Sequence, residues 1–189
     1  SESTNAMTKV ITQDKVVAVT GFTVSSCGIA GSSVAEGSKI PFVAAATVNP
    51  KVTVDGNTGK VKNYTFRACF IDSFQGNIGA QFALNSLKAK KVSILTDSSS
   101  DYSKGLTQIF KDSFTKNGGQ IVGEEAYLQK DQDFKPVLTK LKAQNPDVLY
   151  IPGYYEDVGK IIKQPREKGR KSPILGGAAG VPRRRRKKG

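Results

Sequence analysis

A Gly-Phe-Thr-Val-Ser-Ser segment follows a short run of β-branched residues and carries two adjacent hydroxyls, on Ser25 and Ser26. If a helix begins there, both hydroxyls lie beside unpaired backbone N–H groups at the positive end of the helix dipole. Such a position suits a carboxylate or a phosphate. The alternative is that Ser25 is only the N-cap of the helix, which local sequence favours. The two roles are compatible.

Two further segments follow apolar runs in the same way. The segment 44–50 places Ala46 and Thr47 before an Asn-Pro pair, so small side chains leave the backbone approachable; the alternative is an ordinary Asn-Pro turn. The segment 151–156 contains Tyr154, whose ring could cover an apolar side chain or face an ammonium group. The alternative is a tyrosine that packs at the end of the sheet.

Several kinds of chemistry are excluded or unsupported. The chain has no histidine, which rules out Ser-His-Asp and Cys-His catalysis, and it contains neither a GxGxxG nor a GxxxxGK[ST] phosphate-binding motif. Its two cysteines, Cys27 and Cys69, are too few for a structural zinc site, and their spacing leaves open whether they form a disulfide. No metal site, cofactor or enzymatic activity is expected.

The net charge comes largely from one end of the chain. The 189 residues carry 29 Lys and Arg against 16 Asp and Glu, a charge of +13, but six of the positive charges lie in 183–188. The remainder, 23 basic against 16 acidic residues, has a charge of +7. The tail is interpreted either as a frameshift product or as an electrostatic arm for nucleic acid or acidic lipid.

Short apolar runs alternate with segments of helical periodicity throughout the chain. Strands are predicted at 15–20, 41–45, 64–70, 91–96, 120–127, 147–151 and 173–176, and helices at 3–12, 25–36, 74–88, 103–117, 133–144 and 155–168. The helix at 74–88 is expected to use Phe74, Ile78, Phe82 and Leu87 as its apolar stripe. Strands separated by helices of this length indicate an α/β fold with mainly parallel sheets.

Several segments, taken in order, resemble the leucine/isoleucine/valine-binding protein family, the type I periplasmic binding proteins of branched-chain amino acid ABC importers. They are SESTNAMTKVITQDKVVAV, IPFVAAATVNPKVT, FRACFIDSFQGNIGAQFAL, SSDYSKGL, NGGQIVGEE, DFKPVLTKLKAQNPDVLYIPGYYEDV and PILGG. The resemblance implies two Rossmann-like lobes with parallel sheets, incomplete at both ends. It places part of lobe 1 at 1–71 and part of lobe 2 at 72–181, with 182–189 as a basic tail foreign to the fold.

The resemblance also implies roles for individual residues. Ser25 matches the serine that grips the ligand's α-carboxylate, and Ala46 matches a backbone contact. Tyr102 falls where the second lobe lines the side-chain pocket, and Tyr154 where a ring faces the ammonium. Two matches depart from the family: its hydroxyl before Asn-Pro falls on Val48, with Thr47 one residue earlier, and its acidic residue after Gly-Gly falls on Ala178.

The function implied is that of a non-enzymatic binding protein, which captures an amino acid in a cleft between lobes by hinge closure and delivers it to a membrane permease. The full-length protein is expected in the periplasm or anchored to lipid outside the cell, although this chain contains no signal peptide. No nucleic-acid partner is expected. The alternatives are a ligand-sensing domain of a receptor or regulator and, from another class, a nucleic-acid binder acting through the tail.

Overall fold

The computed structural model describes residues 1–166 and 173–180, and the basic tail at 182–189 lies outside these residues. The chain divides into two compact units: the first is Ser1–Asp72 and the second begins at Ser73. The elements are α1 (Glu2–Thr12), β1 (Val19–Gly21), α2 (Ser25–Ser38), β2 (Phe42–Ala44), a 3₁₀ turn (Pro50–Val52), β3 (Thr65–Arg67), α3 (Asp72–Gln81), a π-turn (Phe82–Ser86), β4 (Lys91–Asp97), α4 (Asp101–Lys116), β5 (Gln120–Tyr127), α5 (Lys135–Ala143), β6 (Val148–Ile151), α6 (Tyr155–Arg166) and β7 (Ile174–Gly176).

The first unit contains a parallel sheet in the order β1-β2-β3. Its core joins α1, α2 and the sheet through Met7, Ala35, Phe42, Ala44 and Val52. The strands are in register at their carboxyl ends, where Gly21, Ala44 and Arg67 are aligned. Loops that leave these three residues therefore start at one edge of the sheet, where ligands bind in open parallel sheets.

The second unit contains a parallel sheet in the order β5-β4-β6-β7. Neighbouring side chains of a strand point to opposite sides, so successive residues of β6 show what packs on each face of the sheet. Leu149 and Ile151 pack with α5 and α6, whereas Tyr150 stacks on Phe110 of α4 with ring centroids 3.9 Å apart. Helices thus cover both faces of the sheet, as expected for a parallel α/β fold. The predicted fold class is confirmed.

The strand predicted at 15–20 is wrong over most of its length. Residues 15–18 are not extended in a sheet, and Val17 is 86% exposed. The chain is still leaving α1 here: Lys15 has φ +52°, and the Val16 N–H donates to the Val10 carbonyl at 3.2 Å. The first residues of the β-branched run therefore belong to the turn that follows α1, and β1 begins only at Val19.

The apolar stripe predicted for the helix at 74–88 is also wrong. Phe74, Ile78 and Phe82 are 61%, 50% and 47% exposed, whereas Leu87 is half-buried. The α-helix α3 gives way to the π-turn at Phe82. The helix packs its small residues on α4 instead, since a Cβ added at Gly76 would lie 2.6 Å from Ile109 Cγ2. A glycine face allows close helix contact that larger side chains would prevent, and periodicity alone does not reveal it.

Candidate functional site

Ser25 is the first residue of α2 and is buried. Val24 is the N-cap, because it is extended and its carbonyl accepts the first helical hydrogen bond, from Gly28 N–H at 3.0 Å. The interpretation of Ser25 as the N-cap is therefore wrong. Its hydroxyl lies in the first turn, among backbone N–H groups at the positive end of the helix. Ser26 follows it and is half-buried.

The loop after β2 brings Thr47 against this first turn of α2. A Cβ added at Gly28 would lie 2.8 Å from Thr47 Cγ2 and 3.0 Å from Thr47 Oγ1, so the absence of a side chain at Gly28 permits the contact. Thr47 is fully buried, and its hydroxyl has no hydrogen-bond partner within the described residues. Ala46, directly before it, is exposed. The structure therefore places Thr47 beside Gly28, three residues after Ser25 in the same helix.

Arg67, at the end of β3, holds this loop and was missed by sequence reasoning. Its Nη1 donates to the carbonyls of Thr47 at 2.9 Å and Asn49 at 3.0 Å, and its Nη2 donates to Thr53 Oγ1 at 2.7 Å. Partial burial lowers the pKa of Arg67 from its usual value. A guanidinium presents several donors in a rigid plane, so one side chain fixes two carbonyls and a hydroxyl. The feature of the sequence that could have identified Arg67 is that it is the one charged residue in the strand predicted at 64–70.

The Asn-Pro turn suggested for the end of this loop is present. Asn49 caps the 3₁₀ turn, its Oδ1 accepting from Lys51 N–H at 3.0 Å. Val48, which stands where the resembling family has a hydroxyl side chain, is buried. The loop therefore combines a structural turn at Asn49 with the buried hydroxyl of Thr47.

Asp72 is the second charged group beside the loop. Its backbone N–H donates to the Val48 carbonyl at 2.9 Å, and its side chain is fully buried. Neither carboxylate oxygen has a hydrogen-bond partner in the described part of the chain. Burial raises the pKa of Asp72 to about 7, against the opposing charge of Arg67. Asp72 is thus a carboxyl group that is partly protonated near neutral pH.

The two cysteines, both half-buried, are free thiols in the structure, which answers the question that their spacing left open. Cys69 Sγ donates to the Thr47 carbonyl at 3.7 Å. Burial raises the pKa of Cys69, which keeps it in the thiol form at neutral pH. It therefore acts as a weak additional donor to the Thr47 loop.

In the second unit the structure brings Tyr102 and Tyr154 together. Their ring centroids lie 5.2 Å apart at an interplanar angle of 32°. Tyr102 is buried in the first turn of α4, whose N-cap is Ser100, and Tyr154 is half-buried immediately before α6. Both follow the carboxyl ends of strands, β4 and β6, so the pair lies at the edge where parallel sheets bind ligands.

Gln75 of α3 joins this pair to the turn after β7 and was also missed. Its Nε2 donates to Tyr102 Oη at 3.3 Å, and its Oε1 accepts from Ala178 N–H at 2.6 Å. The Ala179 N–H donates to Tyr102 Oη at 3.5 Å. The absence of a side chain at Gly177 permits this close approach, because a Cβ there would collide with Tyr102 Oη. No feature of the sequence around Gln75 distinguishes it from a surface glutamine.

Other site types find no support within residues 1–166 and 173–180. These residues contain no group of three or more Cys, Asp or Glu side chains arranged for a metal ion. None of the helices they form combines the length and apolar character needed to cross a membrane. The candidate site residues are those of the two clusters described above, one in each unit.

Comparisons with known proteins agree with the fold and the resemblance. Residues 1–182 match the family model described as periplasmic binding protein. An amino acid binding protein of Pseudomonas aeruginosa is 32% identical over 161 residues, which cover 85% of this chain and 41% of that protein. The Leu/Ile/Val-binding protein of Escherichia coli K12 is 27% identical over 171 residues, 90% of this chain and 45% of that protein.

Solved structures give the same result. A leucine binding protein, LivK, from Thermotoga maritima is 39% identical with a TM-score of 0.87, covering 93% of this chain and 48% of that one. The branched-chain amino acid transporter substrate binding protein LivJ of Streptococcus pneumoniae, in complex with isoleucine, is 36% identical with a TM-score of 0.82 and the same coverage. The chain spans about half the length of the relatives it matches. It belongs to the periplasmic binding protein family, and the relatives named above are what it is similar to within that family.

Proposed function

We propose that the protein of which this chain forms part captures an amino acid, branched-chain or similarly apolar, for uptake by an ABC importer. Relatives named for binding leucine, isoleucine and valine support this, as does the neighbour solved with isoleucine. In this proposal a membrane permease is the partner, and the site of action is the periplasm or, with a lipid anchor, the cell exterior. The protein makes and breaks no covalent bond.

The observation that carries the proposal is the buried, unpartnered hydroxyl of Thr47 against the first turn of α2. Leaving a buried hydroxyl without a hydrogen bond costs about 1 to 3 kcal/mol, so such a group calls for a function. A ligand carboxylate that accepts hydrogen bonds from Thr47, Ser25 and Ser26 satisfies it. The helix N-terminus and the exposed backbone of Ala46 contribute further positive potential and donors to the same carboxylate.

The second unit contributes the aromatic pair in this proposal. Tyr154 presents its ring face to the ligand's ammonium group, an attraction worth about 0.5 to 2 kcal/mol. Tyr102 provides an apolar surface for the ligand's side chain. With Ala178 in place of the acidic residue expected there, the ammonium lacks one ion-pair partner, so we expect the affinity for amino acids to be reduced.

The proposed organisation assigns 1–71 to the first lobe of the longer protein and 72–181 to the second. The basic tail at 182–189 has no role in it. Deleting 183–189 leaves amino acid binding unchanged under this proposal. Nucleic-acid binding that falls steeply with salt, and is lost on that deletion, would instead favour the electrostatic alternative.

The test is calorimetric titration of the chain with leucine, isoleucine and valine, and with benzoate as a carboxylate that lacks an ammonium group. We expect saturable binding of the three amino acids. Thr47→Val removes the hydroxyl at nearly constant volume and should weaken leucine binding about tenfold, the value of one charge-assisted hydrogen bond. Thr8→Val, on the exposed face of α1, is the matched control and should have no effect. Equal affinities for Thr47→Val and the native chain would overturn the assignment of Thr47.

A further inference from the structure

The side-chain amide of Gln75 donates one hydrogen bond and accepts another at the same time. Its Nε2 faces Tyr102 Oη and its Oε1 faces Ala178 N–H, the second bond being short at 2.6 Å. The residues joined are 27 and 103 positions away in sequence. One amide therefore links three elements of the second unit: the first turns of α3 and α4, and the turn that follows β7.

The backbone around Gln75 is fixed by packing, which makes the link effective. Gly76, the next residue, is buried against Ile109 of α4 so closely that a Cβ would overlap it. Gln75 itself is half-buried. A side chain that starts from a backbone pinned in this way has few rotamers that reach both partners, so its amide constrains them.

Tyr102 gains its orientation from these contacts. Its hydroxyl oxygen accepts from Gln75 Nε2 and from Ala179 N–H, and its ring lies 5.2 Å from that of Tyr154. Hydrogen bonds at the tip of a tyrosine limit rotation about its side-chain bonds, and the tilted ring of Tyr154 beside it limits the ring plane. Both restraints act on the same ring.

We propose that Gln75 is a positioning residue that sets the geometry of Tyr102 and of the Gly177–Gly180 turn, and through them the affinity for the ligand. The inference that affinity is affected rests on the proposed function, because it takes Tyr102 and Tyr154 as ligand contacts. The positioning itself does not depend on which ligand is bound.

The first measurement needs no ligand. Amide exchange followed by NMR reports on the Ala178 N–H, and the ¹³Cζ shift of Tyr102 reports on its hydroxyl. Gln75→Leu keeps the approximate volume but removes every hydrogen bond of the Gln75 amide to Tyr102 and Ala178. We therefore expect Ala178 to exchange about tenfold faster, equivalent to one lost hydrogen bond, and the Tyr102 shift to move. Gln75→Glu retains an acceptor for both partners and should return Ala178 exchange to within about threefold of the native rate.

The matched control is Gln81→Leu, an exposed glutamine at the end of the same helix, which should change neither signal. Unchanged Ala178 exchange and an unmoved Tyr102 signal in Gln75→Leu would overturn the proposal outright.

The second measurement is leucine affinity by calorimetry. We expect Gln75→Leu to weaken binding about tenfold in the native background but less than about threefold when Tyr102 is already Phe, because the coupling runs through the Tyr102 hydroxyl. Faster Ala178 exchange with unchanged leucine affinity would mean that the bond is structural only, against the proposal. If the native chain binds no amino acid, the proposed function fails, and the exchange rate and Tyr102 shift alone decide whether Gln75 positions the tyrosine.

Discussion

Arg67 Nη1 lies 2.9 Å from the Thr47 carbonyl oxygen, so a charged strand residue fixes the backbone of the residue whose hydroxyl is buried against α2. The same nitrogen also holds Asn49, two residues on. The Thr47 loop is therefore held from its backbone side, which fixes the position of the buried Thr47 hydroxyl.

Arg67→Ala should destabilise the first unit. It removes three hydrogen bonds from a partly buried charged donor, and we expect the free energy of unfolding to fall by about 2 to 3 kcal/mol, since such bonds are not additive. Urea denaturation measures this. Lys60→Ala, at an exposed position of the same unit, is the control and should stay within about 0.5 kcal/mol of the native value. A similarly small change for Arg67→Ala would contradict the role given to the guanidinium.

Thr47→Val should raise stability while it lowers affinity. Replacing a buried hydroxyl that lacks a partner with a methyl group removes a desolvation penalty of about 1 to 3 kcal/mol. We therefore expect a higher Tm in the absence of ligand, measured by calorimetry. Thr8→Val gives the baseline for a solvent-exposed threonine. A lower Tm for Thr47→Val would show that the hydroxyl makes a stabilising hydrogen bond in the unliganded protein.

Asp72 should make stability depend on pH between about 4 and 7. Its pKa is about 7 in the folded chain against an ordinary value of 3.8, so in this range the folded state binds more protons than the unfolded state. The free energy of unfolding contributed by this group therefore falls as pH rises through that window and is constant above it. The other charged or titratable groups that act on Asp72 are Arg67 and Cys69, and Cys69 remains a thiol throughout this range.

Asp72→Asn removes this dependence. The stability of the variant relative to the native chain should rise from pH 4 to pH 7, by about 1.4 kcal/mol for each unit of the shift that is realised. Asp14→Asn, at an exposed position, should track the native chain at every pH. A constant difference between Asp72→Asn and the native chain from pH 4 to 7 would show that Asp72 has an ordinary pKa.

Glu36 should be the main anchor of the segment that leads into β3. Its carboxylate accepts from Asn63 N–H at 3.0 Å, Tyr64 N–H at 2.6 Å and Thr65 Oγ1 at 3.1 Å. Glu36→Ala should lower the free energy of unfolding by about 2 to 3 kcal/mol, and Glu36→Gln by less, because it keeps the oxygen shared by Tyr64 and Thr65. Denaturant titrations compare both with Asp14→Ala. Equal losses for the Ala and Gln variants would mean that charge rather than hydrogen bonding is responsible.

The sequence predicted most of the elements because their signals are local. The strand at 120–127 has the predicted bounds, and the alternation of strands and helices follows from hydrophobic periodicity. The failures also have a local cause. KVVAVT has strand composition, but its first residues complete the end of α1, and α3 packs through Gly76 rather than through its large apolar residues.

Local sequence patterns were enough to identify the candidate site residues that follow the carboxyl ends of strands, namely Ser25, Ala46, Thr47 and Tyr154. Sequence also placed Tyr102 near them through the family resemblance. Their contacts with one another, and the hydrogen bonds from Arg67 to the Thr47 loop and from Gln75 to Tyr102, emerge only from the folded chain. These contacts are non-local: the hydrogen bond between Gln75 and Ala178 joins residues 103 positions apart, so it depends on strand order and helix packing. No local pattern of residues encodes either of these.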